Sequence, residues 1–235
     1  MITPTDDDYK DTKKIKQGKT VLSYPFNELS RWIDITYGVT TLNIFYDLIK
    51  TSNNRPRLNI IFEHKTDESK LISINCNYKK EIQTAIADKF RELIRTSDKH
   101  KKGIFKGLLG KKEESQFDTK DIWITFSSFE SVARIEANER IPQQKIEELK
   151  IRINNKDVWK IVRCFSYTTF FFYSDSQVAE NLHNGMKERL NKEYYELLKE
   201  YDEFNYFTEE SFSISLDSKE NFDKNYQSNW YYYFK

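Results

Sequence analysis

Residues 164–173 read CFSYTTFFFY and are apolar on both of the faces that a β-strand presents. A strand with two apolar faces is covered on both sides by other elements, which is typical of a central strand. Ser174 and Gln177 follow at the spacing of a capping box, in which two residues satisfy each other's backbone amides at the start of a helix. The sequence therefore predicts a central strand that leads directly into a helix.

The segment after this strand carries an apolar stripe with a step of four residues. Its members are Val178, Leu182, Met186, Leu190, Tyr194 and Leu198. Only Gly185 interrupts the pattern, so the spacing predicts one long amphipathic helix.

Upstream, two runs of alternating apolar residues predict a β-hairpin whose polar connection is residues 65–70. The runs are Leu58, Ile60 and Phe62, then Ile72, Ile74 and Cys76. Helical spacing predicts further helices, and alternation predicts further strands. The predicted helices cover residues 39–49, 77–95 and 142–153, and the predicted strands lie near residues 122–126, 132–135, 212–216 and 230–234.

These elements predict an α+β fold, with largely antiparallel sheets packed against long amphipathic helices. Residues 1–20 are predicted to form a charged flexible leader, followed by an N-terminal α+β half over 21–138 and a C-terminal half over 139–235. Each half places a long helix between strands, so the two halves are expected to be similar. No residue-level repeat joins them, and one continuous domain is the alternative.

The residue composition and the net charge narrow the classes of function that this chain is expected to have. The chain has 235 residues, 38 basic and 37 acidic, and a formal charge of +1. No global field therefore draws it to nucleic acid or to a membrane surface. The scarcity of Gly and Pro beside many Lys, Asn, Ile, Tyr and Phe residues is typical of an AT-rich genome. The N-terminus lacks a signal-peptide pattern, and no apolar run approaches the roughly 20 residues of a membrane span, so a cytoplasmic location is expected.

Metal and cofactor sites are not expected from the pattern of ligand-forming residues. Zinc sites use about four clustered ligands, but His64, His100 and His183 have no second histidine at helical or hairpin spacing. Cys76 and Cys164 each lie in an apolar run, which predicts buried free thiols.

Glu63 and Lys65 are the only catalytic candidates. They are two residues apart at the end of an alternating strand, so their side chains would point to one side. Such a pair serves metal-dependent nucleases when a further Asp lies on the neighbouring strand. That partner Asp is missing from the predicted strands, which leaves Glu63 and Lys65 as weak candidates.

The segment 99–112 combines lysines with apolar residues, a pattern that suits binding to an anionic surface or to a partner. The candidate residues are Lys101, Lys102, Ile104, Phe105, Lys106, Leu108, Leu109, Lys111 and Lys112. The alternative is a surface loop whose apolar side chains pack back onto the protein.

The function that best fits these observations is protein–protein interaction, because catalytic motifs are missing and Tyr and Trp, which are enriched at interfaces, are abundant. The expected partner is another protein, and the expected role is that of an accessory protein of a toxin-neutralising, phage-associated or defence-associated type. One alternative is a metal-dependent nuclease or nucleic-acid-binding protein. A second is a structural subunit of a larger assembly that docks through residues 99–112.

Overall fold

A computed structural model describes residues 2–73, 77–104 and 117–235, with side chains for all of these except 97–104. The chain divides into two compact units, residues 1–131 and 132–235. The boundary lies inside one helix, several residues before the division expected from the sequence.

Unit 1 contains a three-stranded sheet in the order β1-β2-β3. Its elements are α1 (Asp7–Lys16), α2 (Phe26–Tyr37), β1 (Thr41–Ile49), a 3₁₀ turn (Lys50–Ser52), β2 (Arg55–Phe62), α3 (Lys65–Lys70), α4 (Lys80–Ile104), β3 (Trp123–Ser128) and the start of α5 (Phe129–Arg140). β1 and β2 are antiparallel with a bulge near the start of β1, and β2 and β3 are parallel.

The two faces of this sheet are covered differently. One face is apolar and packs on α2 and α4, with Ile60 of β2 and Phe90 of α4 fully buried between the layers. The other face is polar, and it meets α1 through hydrogen bonds such as that from Asn43 Nδ2 to Thr12 Oγ1 at 3.0 Å.

Unit 2 also contains a three-stranded sheet, in the order β4-β5-β6. Its elements are the rest of α5, then α6 (Gln143–Ile153), β4 (Val158–Cys164), β5 (Tyr167–Phe172), α7 (Asp175–Asn181), α8 (Met186–Lys199), β6 (Ser215–Ser218), α9 (Lys219–Tyr226) and α10 (Trp230–Tyr233). β5 is the central strand, as predicted, and the capping box of Ser174 and Gln177 is confirmed.

Both faces of the second sheet are apolar. The side chains of Phe170 and Phe172 pack on α6 and α8. On the opposite face, Phe171 contacts the rings of Phe222 and Trp230, which are supplied by α9 and α10. This two-sided packing explains why the sequence of β5 is apolar on both faces.

The two units share one topology, which confirms the α+β class and the similarity of the two halves. In each unit a helix leads into an antiparallel strand pair, two helices follow, and a third strand lies parallel to the second and ends in another helix. Even the bulge recurs, between Thr41 and Asn43 in β1 and between Val158 and Lys160 in β4. The sheets are mixed rather than largely antiparallel as expected, with one antiparallel and one parallel pair each, because the third strand returns by a helical crossover.

Several predicted elements are wrong. Residues 41–49 form β1 rather than a helix, because pairing along the length of β2 outweighs a local helical spacing. The predicted hairpin is not formed, since residues 65–70 are α3 and Ile72 makes only an isolated bridge to Tyr78. Residues 74–76 lie outside the described residues. The strand predicted near residues 132–135 is part of α5.

The long helix after β5 is also divided. Gly185 has a φ of +82°, a left-handed conformation that an α-helix does not contain, so α7 ends before it and α8 begins after it. The strand predicted for residues 230–234 is the short helix α10, whose first turn is capped by the Asn229 side chain. The expected leader contains α1, in which Tyr9 is buried and stacks on Phe129 at 5.1 Å.

Candidate protein-interaction groove

The edge strands of the two sheets differ in which of their backbone N–H and C=O groups are hydrogen-bonded to side chains. Two backbone amides of β1 are bonded to side chains. The amide of Thr41 donates to Asp34 and that of Ile44 donates to Asn43, both at 2.8 Å. On β3, Gln83 Nε2 donates to the carbonyl of Ile124 at 2.6 Å. These bonds occupy polar groups that an edge strand would otherwise offer to another chain.

β6, the third strand of unit 2, also has backbone amides bonded to side chains at its end and just before its start. The amide of Ser218, at the end of β6, donates to Asp217 Oδ1 at 2.7 Å. Just before β6, the amide of Ile214 donates to Asn191 Oδ1 at 2.9 Å. Side chains therefore bond to the backbone at or beside part of each of these three edges, although residues 45–49 of β1 receive no such bond from a described side chain.

β4 receives such a bond only at its start. At its start, Lys150 Nζ donates to the carbonyl of Trp159 at 2.6 Å. From Lys160 to Cys164, within the described parts of the chain, the backbone pairs with β5 and receives no side-chain hydrogen bond. We call residues 160–164 the open edge.

The cationic side chains of the open edge point away from it. Lys160 Nζ lies 5.0 Å from the ring centroid of Trp230, where it makes a cation–π contact. Arg163 Nη1 donates to the carbonyls of Asn138 and Ile141, both at 2.7 Å. Lysines on an edge strand usually discourage the addition of another strand, but Lys160 is held over the aromatic side of the sheet.

A groove of about 320 Å³ runs beside the open edge. Residues 160–163 form one wall, and Glu139 at the end of α5, Gln143 at the start of α6 and Phe165 complete the lining. Phe165 lies in the turn between β4 and β5 with a φ of +53°, and its ring is half exposed. The groove therefore combines the edge of a β-strand, a carboxylate and a half-exposed aromatic ring.

A buried asparagine holds this turn in place. Asn138 of α5 is fully buried, and its Nδ2 donates to the carbonyls of Phe165 at 2.8 Å and Tyr167 at 3.2 Å. Its Oδ1 accepts a hydrogen bond from the hydroxyl of Tyr194 at 2.7 Å. Burial raises the pKa of Tyr194 to about 12. The rim of the groove is thus anchored to the core.

Cys164 closes the open edge. It is a free thiol that is half-buried rather than fully buried. Burial raises the pKa of its thiol, and the nearby Glu139 carboxylate raises it further. A raised pKa lowers the thiolate fraction and hence the reactivity, so Cys164, which lies in sequence between the lining residues Arg163 and Phe165, stays a neutral, weakly polar side chain.

The residues proposed for nuclease chemistry are directed to different partners. Glu63 follows β2 and forms an ion pair with Lys16 of α1. Lys65 begins α3, and its Nζ contacts Glu68 at 2.7 Å. Since the strand ends at Phe62 and a helix begins at Lys65, strand alternation does not place the two side chains together. No cluster of three or more His, Cys, Asp or Glu residues in the described ranges has the geometry of a metal site.

The basic segment lies largely outside the structural description. Lys101, Lys102 and Ile104 belong to the last turns of α4, whose side chains are not described there. Phe105, Lys106, Leu108, Leu109, Lys111 and Lys112 lie outside the described residues. Their proposed role in partner binding stays a prediction.

The groove was not predicted from the sequence. Its residues come from three elements, and none of them carries a motif that marks binding. The one available signal was the polar Ser166 within an apolar run, which lies in the two-residue turn that the structure places between β4 and β5. No helix within the described residues combines the length and apolar character needed to cross a bilayer. Comparison of the chain with protein-family models, curated proteins and solved structures finds no match.

Proposed function

We propose that this chain is a protein-interaction module that binds a partner protein through the groove beside β4. The observation that carries this proposal is the open edge, residues 160–164, because it combines unused backbone hydrogen-bonding capacity with an adjoining groove. Exposed backbone on a sheet edge is a ready site for another polypeptide. The role is that of an accessory protein that acts by binding.

The chemistry of the groove favours a protein over a nucleic acid. Glu139 contributes a carboxylate to the lining, and the cationic groups of Lys160 and Arg163 are engaged with the protein itself. A polyanion needs several available cations along its path. A polypeptide can instead use backbone hydrogen bonds together with an apolar contact, such as the one that Phe165 offers.

A pair of substitutions on α6 tests this function. Gln143 and Gln144 are both exposed, and each donates to a glutamate four residues later, at 2.7 Å and 3.0 Å. Only Gln143 lines the groove. Gln143→Trp therefore obstructs the groove. Gln144→Trp is a matched control, because it also removes a Gln–Glu hydrogen bond from the exposed surface of α6 but lies outside the groove lining.

The experiment is quantitative capture by the tagged full-length chain from nuclease-treated lysate of the source organism. We expect a stoichiometric protein partner with the wild-type chain and with Gln144→Trp, and at least about tenfold less of it with Gln143→Trp. Circular dichroism and thermal unfolding check that both variants are folded. Equal capture by both variants, or recovery of nucleic acid alone before nuclease treatment, would contradict the proposal.

A further inference from the structure

We propose that the partner enters the groove as an extended segment that pairs with β4 and adds a fourth strand to the sheet of unit 2. This inference rests on the proposed function and specifies how the partner is bound. The geometry points to this mode because residues 160–163 of the edge strand β4 form one wall of the groove, and the backbone N–H and C=O groups of an edge strand select an extended chain.

The pairing of β4 with β5 leaves half of the β4 backbone groups available. In an antiparallel pair, every second residue turns both its N–H and its C=O away from the partner strand. The register from Lys160 opposite Phe171 to Cys164 opposite Tyr167 is regular, so this alternation continues through the open edge. A guest strand would meet these outward groups directly.

The length of the open edge sets the length of the guest. At about 3.3 Å per residue, residues 160–164 span about 16 Å, which accommodates a guest segment of about five residues. The bulge next to Lys160 and the bond from Lys150 to the Trp159 carbonyl close one end. The turn at Phe165 closes the other.

The remaining sheet edges do not line this groove, and parts of them are already bonded to side chains. Side chains already occupy backbone groups on β1, β3 and β6, including those of Thr41, Ile124 and Ser218. A guest strand there would first have to displace these bonds, and an unmade buried hydrogen bond costs about 1–3 kcal/mol. The open edge carries no such cost.

The lining also predicts the side chains of the guest. Glu139 is exposed beside the groove, and no ion pair joins it to another described residue. It lies close enough to Cys164 to raise the pKa of that thiol, so it marks the turn end of the groove. The half-exposed ring of Phe165 lies at the same end. The expected guest therefore carries a Lys or Arg next to an apolar residue at one end.

Random peptides of about ten residues, displayed on phage and selected on the full-length protein, provide the probe. Strand addition has a specific signature, because methylation of a peptide N–H that bonds to β4 removes a hydrogen bond while methylation of its neighbours does not. For selected peptides we expect a loss of at least about tenfold in affinity at every second N-methylated position. We also expect loss of binding with Gln143→Trp and retained binding with Gln144→Trp.

The charge preference has its own control. Glu139→Lys should weaken peptides that carry Lys or Arg at the expected end, whereas Glu180→Lys, an exposed change on α7, should leave their affinity unchanged. Weaker binding with Glu180→Lys as well would contradict a local role for Glu139.

The outcomes separate this inference from the proposed function. If a lysate partner depends on Gln143 but N-methylation shows no alternation, or no peptide sensitive to Gln143→Trp is selected, strand addition is overturned and the interaction function stands. If Gln143→Trp affects neither the lysate partner nor the peptides, both proposals fail. Alternation together with sensitivity to Gln143→Trp supports both.

Discussion

Glu130 and Glu220 accept equivalent hydrogen bonds in the two units, each from the first residue of a short helix. Oε2 of Glu130 lies 3.1 Å from the amide nitrogen of Lys65, the first residue of α3, and Oε2 of Glu220 lies 3.1 Å from the amide nitrogen of Asp175, the first residue of α7. The backbone amides of both glutamates also donate back, to the carbonyls of Glu63 and Tyr173. The repeated topology thus extends to individual contacts, which indicates a common structural plan for the two halves.

Removing one of these carboxylates should loosen one short helix. The first amides of a helix lack partners within it, and a carboxylate there also interacts favourably with the helix dipole. For Glu220→Ala we expect the amide of Asp175 to exchange faster by about three- to tenfold, a cost of about 1 kcal/mol for an exposed bond. Hydrogen exchange measured by NMR on the full chain checks this result.

The control for that prediction is Glu220→Gln, which keeps an acceptor and should restore most of the protection at Asp175. Exchange in α3, where Glu130 is unchanged, should stay as in the wild type. An unaltered rate at Asp175 in the alanine variant would show that Glu220 does not hold the helix.

Asn138 should be among the residues least tolerant of substitution in unit 2. Its side chain is fully buried and bonds to two carbonyls of the turn and to the hydroxyl of Tyr194. Asn138→Ala removes these three hydrogen bonds from a fully buried position, so we expect unit 2 to lose about 2–4 kcal/mol of its free energy of unfolding. Urea denaturation followed by circular dichroism measures the loss. A change below about 1 kcal/mol would contradict the structural role assigned to Asn138.

Tyr194 should make stability fall at high pH. Its folded pKa is about 12, against an ordinary value of 10.0, so between these values the folded state binds more protons than the unfolded state. Stability therefore decreases as the pH rises through this range, and two pKa units correspond to about 2–3 kcal/mol. Tyr194→Phe should remove this component, which the difference in unfolding free energy between variant and wild type reports at each pH. Parallel pH profiles for the two proteins would overturn the assignment.

The aromatic cluster behind the second sheet should depend on Trp230. Its ring stacks on that of Phe222 with centroids 4.0 Å apart, and it also contacts Phe171 at 5.4 Å. Trp230→Ala removes these contacts, so we expect a loss of about 2–4 kcal/mol in thermal or urea unfolding. The neighbouring Tyr231 is 66% exposed, and Tyr231→Ala should change stability by less than about 0.5 kcal/mol. Equal effects of the two substitutions would be inconsistent with the packing seen here.

Elements whose identity depends on local pattern were predicted well. The capping box of Ser174 and Gln177, the central position of β5 and the helix that begins after Pro142 all follow from residues close together in the chain. In these cases local propensity and tertiary packing favour the same structure.

Elements whose identity depends on distant partners were not predicted. Residues 41–49 have helical spacing, but β2 supplies a pairing strand along their whole length. Residues 230–233 alternate like a strand, yet Trp230 fits against Phe222 and Phe171 as part of a short helix. In both segments long-range contacts outweigh the local pattern.

The candidate site could not be found from the sequence for a related reason. Whether a strand is an edge, and whether its backbone is already bonded, depends on the order of strands in the sheet. The run CFSYTTFFFY indicated one central strand, whereas the turn at Phe165 assigns Cys164 to the edge strand β4 and Tyr167 to the central strand β5. Glu139 and Gln143 then reach the groove from two different helices.

Amide hydrogen exchange along β4 tests the central claim most directly. The full-length chain is compared alone and saturated with the partner captured in a Gln143-dependent manner, and exchange is followed for residues 160–164. The account predicts that amides on alternate residues of this segment become protected by at least about tenfold on binding, while those of β1 and β3 are unchanged. Unchanged exchange in β4 with protection elsewhere would place the interaction on another surface and contradict the account.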